Sequence, residues 1–79
     1  MIANRKVVSL RFEANGNPVG YLMIETDDQD RATEIARSWA KTNLRAEFDS
    51  IQEHQGVMDP PGDEMAEWVD GFRVWELPF

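Results

Sequence analysis

Polar and apolar residues alternate near the start of the chain, and the period then changes. Val8, Leu10 and Phe12 alternate with Ser9, Arg11 and Glu13. That period-2 pattern is the signature of a strand with one buried face. "NGNP" at 15–18 supplies a turn. Asn-Gly favours positive φ, and Pro18 stands where a strand can begin without the N–H it lacks. A second strand comes next in "VGYLMIET", closing a β-hairpin. A register with Leu10 opposite Ile24 and Phe12 opposite Leu22 makes one face of the hairpin apolar. Val7, Tyr21 and Met23 then fall on the other face.

The next period is helical. "TDDQ" at 26–29 fits a capping box, and Asp27 and Asp28 can also cap and favour the positive end of the helix dipole. Ala32, Ile35, Ala36, Trp39, Ala40 and Leu44 recur at helical spacing. The first five span about 140° of a helical wheel. Arg31, Glu34, Arg37, Lys41 and Arg45 take the opposite side. The alanines permit close approach to a sheet, and Trp39 supplies bulk.

"AEFDSIQEH" at 46–54 admits two readings. As a strand, it sends Phe48 and Ile51 to opposite faces unless a bulge intervenes. As a helical continuation, Leu44, Phe48 and Ile51 lie at i, i+4, i+7. A strand is favoured, since a small sheet needs a third strand and an unbroken helix would be overlong for this chain. Residues 55–63 form a loop punctuated by Pro and Gly. "DEMAEWVDG" at 63–71 reads as a short helix, capped by Asp63 and ended by Gly71. Met65, Trp68 and Val69 would share one side of it. Asp63, Glu64, Glu67 and Asp70 would share the other. "FRVWEL" at 72–77 reads as the last strand.

The expected architecture is therefore α+β. A small antiparallel sheet of about four strands, in the order β-β-α-β-α-β, carries one long amphipathic helix on one face. A short helix lies in the C-terminal half. Residues 1–79 are expected to form a single domain. Phe72 and Val74 can join the face under the long helix. Trp75 and Leu77 then point the other way with Tyr21 and Met23, onto a face that a short helix covers only in part.

Composition narrows the chemistry. With no cysteine, no disulfide staples the fold and thiol chemistry is excluded. The longest apolar run, "VGYLMI", is far too short for a membrane span. "MIANRKVV" has no hydrophobic signal region. A soluble, cytoplasmic protein is expected. Residues 1–45 hold seven Lys/Arg and six Asp/Glu; residues 46–79 hold Arg73 as their one base and nine acids. The chain's net charge of −7 thus lies in its second half. Such a chain is ill suited to phosphate backbones or anionic lipid and well suited to a basic partner.

No motif for catalysis, cofactor or metal stands out. His54 is the single histidine, and nothing near it in sequence suggests a triad. Ser9, Ser38 and Ser50 lie in no nucleophile-elbow context. The glycines form no phosphate-cradling loop. "TDDQD" shares only its acids with a calcium loop and lacks that loop's glycine and terminal glutamate, so capping accounts for it. Arg31, Arg37, Lys41 and Arg45 read as a solvated helix face rather than a phosphate site.

Two features are candidates for binding. Asp63, Glu64, Glu67 and Asp70 make a row of carboxylates if 63–71 is helical, because residues at i, i+3 and i+4 are neighbours. One reading is a solubilising surface; the other is a contact for an Arg/Lys-rich partner. Tyr21, Met23, Trp75 and Leu77 form the second candidate. Either the short helix and the 55–62 loop cover them, or they form an apolar protein interface.

The layout within residues 20–54, "GYLMIETDDQDRATEIARSWAK…EFDSIQEH", resembles that of small phage-encoded proteins, anti-CRISPR inhibitors among them. A strand, an acidic cap, an Ala-spaced helix and a return strand succeed one another. The resemblance implies a stoichiometric inhibitor that blocks the basic nucleic-acid channel of a bacterial defence complex, in the host cytoplasm. It assigns no functional residue, since it is a likeness of layout. The leading expectation is a non-enzymatic protein that binds a basic protein surface and not nucleic acid or membrane directly. The alternative is a homodimeric structural or regulatory domain that uses the second sheet face on itself.

Overall fold

The computed structural model describes residues 6–44, 46–54 and 62–77, apart from the side chain of Asp63. Its elements are β1 (Val8–Ala14), β2 (Asn17–Ile24), α1 (Gln29–Asn43), β3 (Ser50–Glu53), a 3₁₀ turn (Asp63–Met65), β4 (Glu67–Val69) and β5 (Phe72–Leu77). The five strands form one sheet in the order β3-β1-β2-β5-β4, antiparallel at every pairing. The α+β class is as expected; the sheet gains a strand, and α1 is the one α-helix among the described residues.

The β1–β2 hairpin closes on Asn15 and Gly16, at φ 54° and 81°. Both values are positive, as a type I′ turn requires. From that turn a straight ladder would set Leu10 opposite Tyr21 and mix the two faces. A bulge between Phe12 and Glu13 prevents this. Leu10 meets Leu22, Val8 meets Ile24 and Phe12 meets Gly20. The expected partners, Leu10 with Ile24 and Phe12 with Leu22, are therefore two residues off. Side chains alternate with a period of two, so a slip of two keeps every residue on its expected face. Gly20 explains part of the register. A Cβ there would sit 3.2 Å from Leu44 Cδ1 and 3.5 Å from Phe12 Cδ2, so the space opposite Phe12 is used by Leu44.

Helix α1 starts from the alternative cap, Asp28, and not from a capping box with Thr26 as N-cap. Asp28 is the N-cap, accepting a hydrogen bond from the Arg31 amide at 3.1 Å, and Thr26 Oγ1 accepts one from the Asp28 amide. Ala32, Ile35, Ala36, Trp39 and Ala40 are all buried. They pack on Leu10, Phe12, Leu22, Ile24 and Val74. Phe12 stacks on Trp39 with ring centroids 5.9 Å apart and meets Phe48 edge-on at 5.1 Å. Phe48 and Ile51 both pack on this core. Phe48 precedes β3, so the strand's alternation does not bind it, and the conflict in the sequence dissolves.

The largest correction concerns 63–71. It is a single 3₁₀ turn followed by a strand, not a helix. Asp70 and Gly71 adopt φ 52° and 85°, a second type I′ pair, and join β4 to β5. Gly71 is a turn residue rather than a helix terminus. Trp68 and Val69, expected on one side of a helix, therefore lie on opposite faces of the sheet.

Candidate protein-binding surface

The face away from α1 has its own core. Met23, Trp75 and Leu77 are buried there, with Val7, Tyr21 and Ala66 packed around them. Strand pairing accounts for the grouping, since Trp75 lies opposite Met23 and Leu77 opposite Tyr21. The Trp75 indole N–H donates to the Gly62 carbonyl at 2.9 Å. That bond and Ala66 fix the segment leading into β4 over this face. The four residues expected to serve as an apolar interface are thus already used inside the chain. Met23, Trp75 and Leu77 are not offered to a partner. Tyr21 is half-buried, its ring 4.8 Å from that of His54.

The acidic row also changes form. Glu64 lies in the 3₁₀ turn, Glu67 in β4 and Asp70 in the hairpin turn, and all three are exposed. Without a helix, the i, i+3, i+4 spacing no longer lines them up. Glu67 points to the α1 side of the sheet, opposite Val74, whereas Trp68 points to the other side, opposite Arg73. The side chain of Asp63, the fourth acid expected here, lies outside the described residues.

Among the described residues, β4 is a sheet edge and carries the surface that sequence reasoning missed. Trp68 is 64% exposed and Met65 67%. The Arg73 guanidinium lies 4.9 Å from the centre of the Trp68 ring and 3.1 Å from Glu25 Oε1. One face of the indole is thus taken by a cation and the rest left open. Arg73 is the single base of residues 46–79, and it is engaged locally. The signal that could have found this site is the Asp-Gly pair. Flanked by Trp68, Val69, Phe72 and Val74, it is a hairpin signal stronger than the helical one.

Other chemistry has a structural account. His54 comes directly after β3, donates its amide to the Ser9 carbonyl at 2.8 Å and packs on Tyr21. Arg31 pairs with Glu34 at 3.6 Å and lies over the Phe72 ring at 5.6 Å; Arg37 and Lys41 are exposed, and Arg45 lies outside the described residues. Among the described residues, no three His, Cys, Asp or Glu side chains are grouped to hold a metal, and no helix is long and apolar enough to cross a membrane. Comparison of the chain with protein-family models, curated proteins and solved structures returns no match.

Proposed function

We propose that this chain is a small, acidic, non-enzymatic interaction protein that binds a basic protein surface. Glu64, Glu67 and Asp70 supply the charge, and Trp68 supplies the apolar anchor. The observation that carries this reading is the exposed Trp68 on an edge strand in the acidic half of the chain. Tryptophan is among the residue types enriched at the energetic centre of interfaces. Here its ring is held by Arg73 rather than left free to rotate, so less side-chain entropy is lost on binding. The carboxylates around β4, with Glu64 in the turn before it, Glu67 on its other face and Asp70 in the turn after it, favour approach of a basic partner and disfavour an acidic one. The likeness of layout to anti-CRISPR inhibitors gives the proposal a concrete form. The partner would be the basic nucleic-acid channel of a bacterial defence complex, and the chain would act by occupying it.

The test is a charge reversal. A partner is isolated from bacterial lysate and identified, and its association with the chain is followed over a range of salt. Changing Glu64 and Glu67 to Lys and Asp70 to Asn, which tolerates the left-handed turn position, alters the local charge by five units. The variant is expected to keep its native far-UV circular dichroism, to associate more slowly and to lose most of the salt dependence. An unaltered rate and salt slope would remove these acids from the interface.

A further inference from the structure

We infer that the open edge of β4 takes up an extended basic segment of the partner as a sixth strand. This rests on the proposed binding of a basic protein and specifies its mode. The hairpin geometry supports it. Asp70 and Gly71 form a two-residue turn, so the pair that closes it, Val69 with Phe72, is hydrogen-bonded. Bonding alternates along an antiparallel ladder. The next pair, Trp68 with Arg73, is therefore the non-bonded kind. The Arg73 carbonyl agrees, since it turns away from β4 to accept the Glu25 amide at 2.9 Å. By the same alternation, the N–H and C=O of Trp68 point outward, to the edge that no described strand occupies. Backbone donor, backbone acceptor and exposed indole thus belong to one residue. Strand addition uses that combination, with main-chain bonds for affinity and alternate side chains for selection.

Pairing also dictates the incoming sequence. The residue opposite Trp68 lies on the indole's side of the sheet and suits an apolar side chain. Its neighbour opposite Glu67 lies on the other side, where a Lys or Arg makes a favourable cross-strand pair. A second copy of this chain is a poorer occupant. Each copy carries a net charge of −7, and self-pairing would bring Glu67 and Asp70 of both copies to one seam.

Synthetic peptides test this directly. The probe is acetylated, amidated Val-Lys-Val-Lys-Val, titrated into the whole chain and followed by NMR at the Trp68 amide. One isomer is N-methylated on its Val amides, which blocks the edge that pairs when Val faces Trp68. Another is N-methylated on its Lys amides, which blocks only the far edge. The unmodified and Lys-methylated peptides should bind alike. The Val-methylated one should be weaker by about tenfold or more, and Val-Glu-Val-Glu-Val should not bind. If all three basic peptides bind equally, strand addition is wrong while an acidic binding surface stands. If the Glu peptide binds as well as the Lys peptide, both the inference and the acidic-surface reading fail. If no peptide moves the Trp68 signal, the inference fails, and the charge-reversal test decides the broader reading alone. A dimer of the chain by sedimentation, lost in Trp68→Lys, would give the edge to a second copy and overturn the inference.

Discussion

The two hairpins of this molecule close on the same chemistry and are used differently. β1–β2 turns on Asn15-Gly16 and β4–β5 on Asp70-Gly71, each with two positive φ values. The first joins strands of seven and eight residues that lie inside the sheet, with β3 on one side and β5 on the other. Its apolar residues are enclosed by α1 on one face and by Trp75 and Leu77 on the other. In the second hairpin, β5 is interior, but β4 has three residues and a side that no described strand occupies. Its tryptophan faces solvent. A turn sequence thus specifies that a hairpin forms; the neighbours decide what its strands are for. An edge strand this short limits unwanted pairing. That makes the exposure of a tryptophan on it more informative, because such edges usually carry charge instead.

The contrast predicts a wide gap between tryptophans. Trp39→Ala should cost about 3–5 kcal/mol, the range for truncating a buried aromatic, since its ring fills the space between α1 and Phe12. Trp75→Ala should fall in the same range, as it also leaves the Gly62 carbonyl without its donor. Chemical denaturation reads both. A midpoint unchanged for Trp39→Ala would put that ring on the surface and overturn the packing of the helix on the sheet.

The core was largely legible in the sequence because its signal is repeated. Six helical positions and two alternating strands state the same face several times over, so a register error of two residues left the assignment of faces intact. The second apolar cluster was legible as to membership, through Tyr21, Met23, Trp75 and Leu77. Its cover was not: residues 55–61 of the expected loop lie outside the described residues, and among the described ones the hydrogen bond from Trp75 to Gly62 and the placement of Ala66 contribute to it, neither with a periodic signature. The candidate site was misread for a further reason. Over nine residues, Met65, Trp68 and Val69 lie at i, i+3 and i+4, which fits a helical side and not alternation, and an acid before the run imitates a cap. The decision lay in Asp70-Gly71, which ends a helix or turns a hairpin according to whether the next residues can pair with those before it. Here they can, because Phe72 and Val74 of β5 find partners in Val69 and Glu67.

A smaller effect tests whether the two turns are equivalent. A Cβ on Gly16 or Gly71 would meet nothing within 4 Å, so alanine there adds backbone strain and no clash. Gly16→Ala and Gly71→Ala should each cost about 1–2 kcal/mol, the penalty for an L-residue in the left-handed region. Asparagine, which tolerates that region better, should recover part of the loss at both sites. Equal costs would show that turn strain is local. A much larger cost at Gly16, measured by thermal unfolding, would show that the central hairpin transmits its turn's strain to the rest of the sheet.

The smallest expected change in stability is the one most telling for function. Trp68→Ala removes the ring of a residue that is 64% exposed, a ring stacked on Arg73 on one side. An exposed cation–π contact contributes about 0.5–1 kcal/mol, and the remaining ring surface is mostly in water already. Denaturation should therefore move by no more than that, far less than for Trp39→Ala. Arg73 keeps its ion pair with Glu25, so β5 should stay anchored to the β2 side. Binding should respond in the opposite proportion. If Trp68 anchors a partner, its removal should speed dissociation by about tenfold or more, as loss of an interface tryptophan does. A variant that loses as much stability as Trp39→Ala would show the indole to be core. One that keeps both stability and dissociation rate would leave the edge of β4 without an anchor, and the surface built around it would fall.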